Sequence, residues 1–436
     1  MKTAAFYTLG CKVNQYETEA IAEQFVSRGY EIRDFSEFAD VYVINTCSVT
    51  AMSDRKSRQI IRRAKKQNPH SIVIVTGCYA QVAPDAVLRI EGVNLVIGTN
   101  EKNKIAAEAE KLTESAKETL VNNISHTHDF EEMTVSGYSS MTRAYIKIQE
   151  GCNQFCSYCI IPYARGPIRS RDPETVTDEA RRLVADGFTE IILVGIHIAS
   201  YGLDRKDTSL ADIILEINKI DGVKRIRLSS IEPMTLSPEF IEKISPADKL
   251  CPHFHLSLQS GCDETLKRMN RRYTTAQYEE IVDSIRKSFE GAAITTDIMT
   301  GFPGETDEEF EKSAAFAEKI KFSDIHIFKY SPRPGTPAAE YPDQVTPEKK
   351  DERSKILEKI RQKSEKEFLS GFVGEEAEVL FEQPSEKYKG YFEGKTANYI
   401  TVLVKTDEDL SFQYKTVKLC EAADGGIFGE ISFVYK

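Results

Sequence analysis

Cys152, Cys156 and Cys159 stand in the run Gly151-Cys152-Asn153-Gln154-Phe155-Cys156-Ser157-Tyr158-Cys159, with three and then two residues between them. Thiolates on so short a loop can wrap one face of an iron–sulfur cube, for which cysteine is the usual ligand. The run has no fourth cysteine, so one iron would keep an open position for the oxygen and nitrogen donors of a second molecule. Structural zinc is the competing chemistry. Zinc asks for four closed ligands, commonly as two CxxC or His pairs, and this chain has no second pair of that kind.

Three more cysteines follow apolar runs, in Leu9-Gly10-Cys11, Asn45-Thr46-Cys47 and Thr76-Gly77-Cys78. Residues 4–9, 40–46 and 71–76 are β-branched and of strand length, and helical patterns at 17–28 and 53–67 lie between them, the second ending before Pro69. Alternating strands and helices give a parallel sheet, whose sites form beyond the carboxyl ends of its strands. Three strand-end cysteines should therefore converge on one edge and hold a second cluster with an open iron; three separate buried thiols are the plainer alternative.

A second alternating series begins at Arg143. Strands are expected at 143–149, 189–194, 224–229, 253–259, 292–300 and 324–330, and helices at 174–185, 208–220, 274–288 and 307–319. Six β/α repeats suit a parallel barrel open on one side, with the CxxxCxxC loop at the carboxyl-terminal mouth where barrels keep their chemistry. Period-2 alternation turns Phe254, Leu256 and Leu258 towards the helices and leaves His253, His255, Ser257 and Gln259 inside. By the same parity Ser229 faces inward with Arg225 and Arg227, and Asp297 with Thr295. So polar a lumen suits a site more than a packed core, although any one His is more simply a hydrogen-bonded core residue.

A charged helix at 347–369 leads to short strands at 374–381, 388–392, 399–405, 412–419 and 426–434. These suggest a small antiparallel barrel of oligonucleotide-binding type. Tyr388, Tyr391, Phe392 and Tyr399, near Lys387, Lys389 and Lys395, would either stack on single-stranded RNA or fill a small core. The expected architecture is thus α/β: a parallel α/β domain at 1–130, an open six-repeat barrel at 138–370, and an all-β barrel at 371–436.

The composition agrees with a large folded enzyme. At 436 residues about three domains are expected, and 41% hydrophobic with 29% charged residues is a globular balance. No apolar run reaches membrane-spanning length, and the first residues enter a strand pattern, so no signal peptide is expected. Nine cysteines then point to metal binding in a reducing cytoplasm. A net charge of −11 speaks against nucleic acid only as an average over the surface.

Strand-end cysteines, a CxxxCxxC barrel and a C-terminal five-strand module, in that order, resemble the methylthiotransferase family of radical S-adenosylmethionine enzymes along essentially the whole chain. Further matching runs are 166–171, His255-Leu256-Ser257-Leu258-Gln259-Ser260-Gly261, Gly301-Phe302-Pro303-Gly304-Glu305 and Tyr330-Ser331-Pro332-Arg333-Pro334-Gly335-Thr336. The runs 10–17, 45–50 and 56–63 are similar to the branch acting on N6-threonylcarbamoyladenosine in tRNA. The other branches act on isopentenylated tRNA adenosine or on a ribosomal protein side chain.

The resemblance implies two 4Fe–4S clusters, one on Cys152, Cys156 and Cys159 and an auxiliary one on Cys11, Cys47 and Cys78. It also implies S-adenosylmethionine as methyl donor and as source of a 5′-deoxyadenosyl radical, an electron donor such as flavodoxin or ferredoxin, and a TRAM-like last domain binding tRNA at the anticodon stem-loop. Strand-end position nominates Gly195, Ser229, Gln259 and Asp297 for S-adenosylmethionine. A threonyl carboxylate would need a cation, and Arg165 and Arg333 are the candidates. Arg55, Lys56, Arg58, Arg62, Arg63, Lys65 and Lys66 on one helix, with Arg165, Arg169 and Arg171, are expected along the RNA path.

Overall fold

The computed structural model describes residues 1–135 and 142–432. Six strands, β1 (Thr3–Thr8), β2 (Glu31–Arg33), β3 (Val41–Thr46), β4 (Ile72–Gly77), β5 (Leu95–Ile97) and β6 (Glu118–Leu120), form one sheet in the order β2-β1-β3-β4-β5-β6. Every pairing in it is parallel. β1, β3 and β4 are the three strands legible from pattern; β2, β5 and β6 have three residues each, too few to show a period. The helix Lys12–Ser27 begins directly after Cys11 rather than at residue 17. The helix Ala51–Gln67 is capped by Thr50, whose hydroxyl accepts from the Ser53 N–H at 3.1 Å.

The second unit holds β7 (Ala144–Glu150), β8 (Arg169–Ser170), β9 (Glu190–Gly195), β10 (Arg225–Leu228), β11 (His253–His255), β12 (Ala293–Thr300) and β13 (Asp324–Lys329). Parallel pairing runs β10-β9-β7 and β11-β12-β13, and single bridges Ile226–Leu250 and Ile231–Leu256 join the halves into one curved wall. β8 lies antiparallel on the free edge of β7. The open side is covered by the first domain, where Val13 packs on Ile192 and Val194. Strand 253–259 is regular only to His255, because the Leu258 N–H turns to the Thr296 hydroxyl at 3.0 Å and Gln259 takes a left-handed φ of 67°. Phe254, Leu256 and Leu258 are buried outward and His253 and His255 line the lumen, as the alternation predicts, but Ser257 and Gln259, beyond the regular strand, do not line it. The domain limit at 138 lies outside the described residues.

After the helix Pro347–Ser370 come β14 (Glu376–Pro384), β15 (Tyr391–Lys395), β16 (Thr401–Lys405), β17 (Tyr414–Ala423) and β18 (Gly426–Ile431), closed as β14-β15-β16-β18-β17. The end of the expected last strand, 433–434, falls outside the described residues. The barrel is not wholly antiparallel, since β16 and β18 pair in parallel. A closed ring of five strands cannot alternate direction throughout, so one parallel pair is forced.

This small barrel closes the floor of the larger one. Arg225 donates to the carbonyls of Lys395 (2.9 Å) and Glu378 (2.7 Å), and Arg227 to that of Ala397 (3.0 Å). Tyr399 enters from below, stacked on His253 at 4.7 Å and under the Arg227 guanidinium at 4.6 Å.

Candidate iron–sulfur and S-adenosylmethionine site

The CxxxCxxC loop leaves β7 through Gly151, whose φ is 73° and where a Cβ would lie 1.8 Å from the Pro167 carbonyl; only glycine fits. The loop is clamped by the turn after the helix Asp263–Arg268. Ser157 donates its N–H to the Met269 carbonyl (3.0 Å) and its hydroxyl to that of Arg268 (2.8 Å), and the Asn270 amide donates to the Phe155 carbonyl (2.9 Å). From the same turn Arg271 aims one N–H at Cys156 Sγ (3.3 Å) and another at the Glu232 carboxylate (2.7 Å). Burial pushes the Cys152 thiol up to about 11 and the Cys159 thiol up to about 12, so iron entering the site must displace their protons.

The strand-end cysteines converge. A Cβ at Gly10 (φ 106°) would lie 3.0 Å from Cys47 Sγ, and the charge of Cys78 acts on both Cys11 and Cys47. Cys11 opens on the cavity while Cys47 and Cys78 are buried. Arg165 donates from Nε to Cys78 Sγ at 3.3 Å, and Arg271 from Nη1 to Cys156 Sγ at the same distance. The other nitrogens of Arg165 bind Asn14 (2.6 Å), Glu17 (2.6 Å) and Glu150 (3.1 Å).

Around Glu17 lies a fully enclosed charge network. Lys102 and Lys147 each reach this carboxylate at 2.7 Å, and Lys147 also binds Glu150. Burial alone would raise the pKa of Glu17, but Arg165, Lys102 and Lys147 hold it well below the usual carboxylate range. Glu150 stands two residues before Cys152. One network thus ties the auxiliary triad to the root of the other loop.

A cavity of about 880 Å³ is lined by Cys11 of the auxiliary triad and by Ile161, two residues past Cys159, with Val49, Gly195 and Ser229, and this volume suits a nucleoside-sized ligand (roughly 300–1,000 Å³). The residues fit S-adenosylmethionine. The Ser229 hydroxyl is buried with no partner among the described residues, and at Gly195 a Cβ would crowd Ile198 and Gln149 to 2.8 and 3.0 Å. Lower in the lumen Asp297 accepts from His255 and His326, both at 3.3 Å. Burial opposes the ionised carboxylate, but these bonds hold Asp297 well below its usual range.

Gly195, Ser229 and Asp297 therefore line one cavity. Gln259 joins them only through its backbone, donating to the Asp297 carbonyl at 2.8 Å. Arg165 is fully buried and committed to Cys78 and the carboxylates rather than open to a ligand. Arg333 binds Ser48 (2.7 Å) and Asp54 (2.6 Å), fastening the loop after β13 to the first domain.

Arg169 and Arg171 are buried as well, so the expected basic RNA path loses three members. On the helix Ala51–Gln67, Arg55, Lys56, Arg62, Arg63 and Lys66 are exposed. Arg58 instead donates to the Tyr79 hydroxyl (3.3 Å) and Lys65 to the Pro69 carbonyl (3.1 Å). Phe392 fills the small barrel's core and Tyr399 plugs the lumen, leaving Tyr388, Tyr391 and Phe428 as a surface aromatic cluster. Sequence reasoning missed Lys12, Arg271 and the Glu17 network. Only the adjacency of Lys12 to Cys11 could have signalled any of them.

An open barrel that presents a CxxxCxxC loop at its mouth is the architecture of the radical S-adenosylmethionine enzymes. Residues 146–317 match the Radical SAM superfamily, and residues 3–98 match a family described as "Uncharacterized protein family UPF0004". The chain belongs to the tRNA methylthiotransferase family within that superfamily. It is 45% identical over 441 residues to the threonylcarbamoyladenosine tRNA methylthiotransferase MtaB of Bacillus subtilis (strain 168), covering 100% of this chain and 97% of that protein. The protein of the same name from Aquifex aeolicus (strain VF5) is 40% identical over 86% of this chain and 92% of its own length. The tRNA-2-methylthio-N(6)-dimethylallyladenosine synthase of Pelotomaculum thermopropionicum (strain DSM 13744 / JCM 10971 / SI) is 36% identical, over 100% of this chain and 99% of that protein. Among solved structures, the radical S-adenosylmethionine methyltransferase TsrM of Kitasatospora setae, with cobalamin and a 4Fe–4S cluster bound, aligns with a TM-score of 0.57. That alignment covers 78% of this chain and 77% of TsrM at 16% identity, a likeness of fold alone. No helix among the described residues is long and apolar enough to cross a membrane.

Proposed function

We propose that this enzyme adds a methylthio group to carbon 2 of N6-threonylcarbamoyladenosine, next to the anticodon of tRNA, using two 4Fe–4S clusters and S-adenosylmethionine. The observation that carries this reading is the coupling of two thiol triads, through Arg165 and Glu150, beside one cavity. Cys152, Cys156 and Cys159 would hold one cluster and Cys11, Cys47 and Cys78 the other. When bound, these groups supply the electron, the radical and the methylthio unit.

The protein's part is placement. Arg271 and Arg165 each put an N–H on one cluster sulfur, which stabilises its negative charge. Gly195 and Ser229 shape the S-adenosylmethionine site, and Asp297, ionised between two histidines, offers an acceptor to its polar groups. Closure of the floor by Tyr399 keeps bulk water from the lumen. Exposed Arg55, Lys56, Arg62 and Arg63 flank the auxiliary side and would meet the anticodon stem, while Tyr388 and Tyr391 on the TRAM-like barrel offer stacking surfaces. A flavodoxin or ferredoxin is the expected electron donor.

The test is anaerobic reconstitution with iron and sulfide, then incubation with S-adenosylmethionine, a reductant and tRNA. Mass spectrometry of the digested nucleosides should show methylthiolated threonylcarbamoyladenosine. Modification of isopentenylated tRNA at an equal rate, or only of a ribosomal protein, would overturn the substrate assignment.

A further inference from the structure

The cations expected to meet a threonyl carboxylate are spent elsewhere, which leaves the question of which charge in the cavity is available. Arg143 is paired with Glu382 at 2.8 Å and Arg227 with Glu190 at 2.9 Å, and Arg225 is saturated by carbonyls of the small barrel. Lys12 differs. It is the residue after Cys11 and lines the cavity, and it makes neither a hydrogen bond nor an ion pair to any described residue. It is accessible to water and yet surrounded by protein, because it lies within the cavity rather than on the outer surface.

Cations gather around it, while the carboxylates that line the same cavity, Asp297, Asp324 and Glu365, are bonded to His255, His326 and Arg361. Lys12, Arg143, Arg227 and Lys395 all act on the Tyr399 phenol at the lumen floor. Lys395 is bonded to the Thr401 hydroxyl (2.6 Å) and, among the described residues, to no carboxylate. Lys12 and Lys395 line one cavity with no carboxylate bonded to either among the described residues, so an anion entering it would meet two ammonium groups.

We propose that Lys12, supported by Lys395, is the anion subsite that grips the carboxylate on the N6 substituent, and thereby selects the threonylcarbamoyl base over an isopentenyl one. The proposal rests on the functional reading above. It draws on the shape of adenine: carbon 2 and N6 lie on the same edge of the ring, separated by N1. A base that presents carbon 2 to the cluster on Cys11 therefore brings its N6 substituent to the adjoining residue.

The experiment uses reconstituted enzyme and three tRNAs, bearing threonylcarbamoyladenosine, its methyl ester, or isopentenyladenosine. Wild type should prefer the free acid over the ester by about ten- to a hundredfold in kcat/KM, the usual worth of a hydrogen bond to a charged group, mainly through KM. Lys12→Met should lose most of that preference and Lys12→Arg should keep it. The proposal fails if Lys12→Met retains the preference, if Lys12→Arg behaves as the Met variant does, or if wild type treats acid and ester alike. Turnover of none of the three tRNAs would instead overturn the functional reading.

Should Lys12→Met not retain its iron, acetylation footprinting of the wild-type holoenzyme decides. Lys12 should be protected by the acid-bearing tRNA and not by the ester. Equal protection by both would overturn the assignment.

Discussion

Cys152, Cys156 and Cys159 are gathered within one loop, whereas Cys11, Cys47 and Cys78 come from the ends of β1, β3 and β4. In both triads the first cysteine follows a glycine at positive φ, Gly151 or Gly10. Both have one sulfur bonded at 3.3 Å by an arginine that is itself held by glutamate, Arg271 with Glu232 and Arg165 with Glu17 and Glu150. The supports differ in reach. Arg271 belongs to the barrel that bears its triad, while Arg165 leaves the barrel and crosses to a triad in the other domain. The loop triad draws its ligands and its support from one domain; the strand-end triad has its ligands on one sheet but takes its arginine support from the other domain.

The largest effect should come from breaking the crossing. Glu17→Ala leaves Arg165, Lys102 and Lys147 without their shared buried carboxylate. Removing one partner of a buried ion pair costs roughly 3–5 kcal/mol. Denaturant unfolding should show that loss, and iron should drain from the auxiliary site first. Equal loss from both sites would break the comparison.

Arg271→Met tests the local support. It removes the N–H to Cys156 and leaves Glu232 buried without its guanidinium, at about 1–3 kcal/mol. Cleavage of S-adenosylmethionine should slow and the potential of that cluster should fall, with the auxiliary cluster unaffected. A change in the auxiliary signal would contradict a local role.

Smaller is the expected effect of Arg62→Ala with Arg63→Ala, both exposed. Each phosphate contact removed should flatten the salt dependence of tRNA binding by about 0.7–0.9 in log–log slope. An unchanged slope would move the RNA path off this helix.

The smallest effect is a pH dependence. The hydrogen bond to Asp297 raises the pKa of His326. Its contribution to stability is therefore full below the unfolded value of about 6.5 and lost as pH rises through the folded value. Asp297, held low, contributes above its unfolded pKa and loses that contribution as pH falls through its folded one. His326→Asn should flatten the alkaline side of the stability profile, read as Tm against pH.

How much of this was legible in the sequence follows the same division. The loop triad could be read directly, because its ligands share one short run. The strand-end triad needed the further step of placing β1, β3 and β4 side by side, which apolar periodicity allowed. Arg271, Lys12 and the partners of Arg165 were not legible. Lys and Arg number 57 in this chain, and only packing separates a lysine in a cavity from one on the surface. Packing also explains why Arg165, Arg169 and Arg171 were expected beside RNA yet lie buried. A charge run in sequence says nothing about which carboxylates will fold over it.

The central claim is that two distinct clusters sit on these two triads, and one pair of variants tests it. Reconstituted wild type should bind about eight irons per chain. Cys11, Cys47 and Cys78→Ala should bind half as many and still cleave S-adenosylmethionine to 5′-deoxyadenosine, yet add no methylthio group to tRNA. Cys152, Cys156 and Cys159→Ala should also bind half and cleave none. Full iron in the Cys11, Cys47 and Cys78→Ala variant would contradict the account.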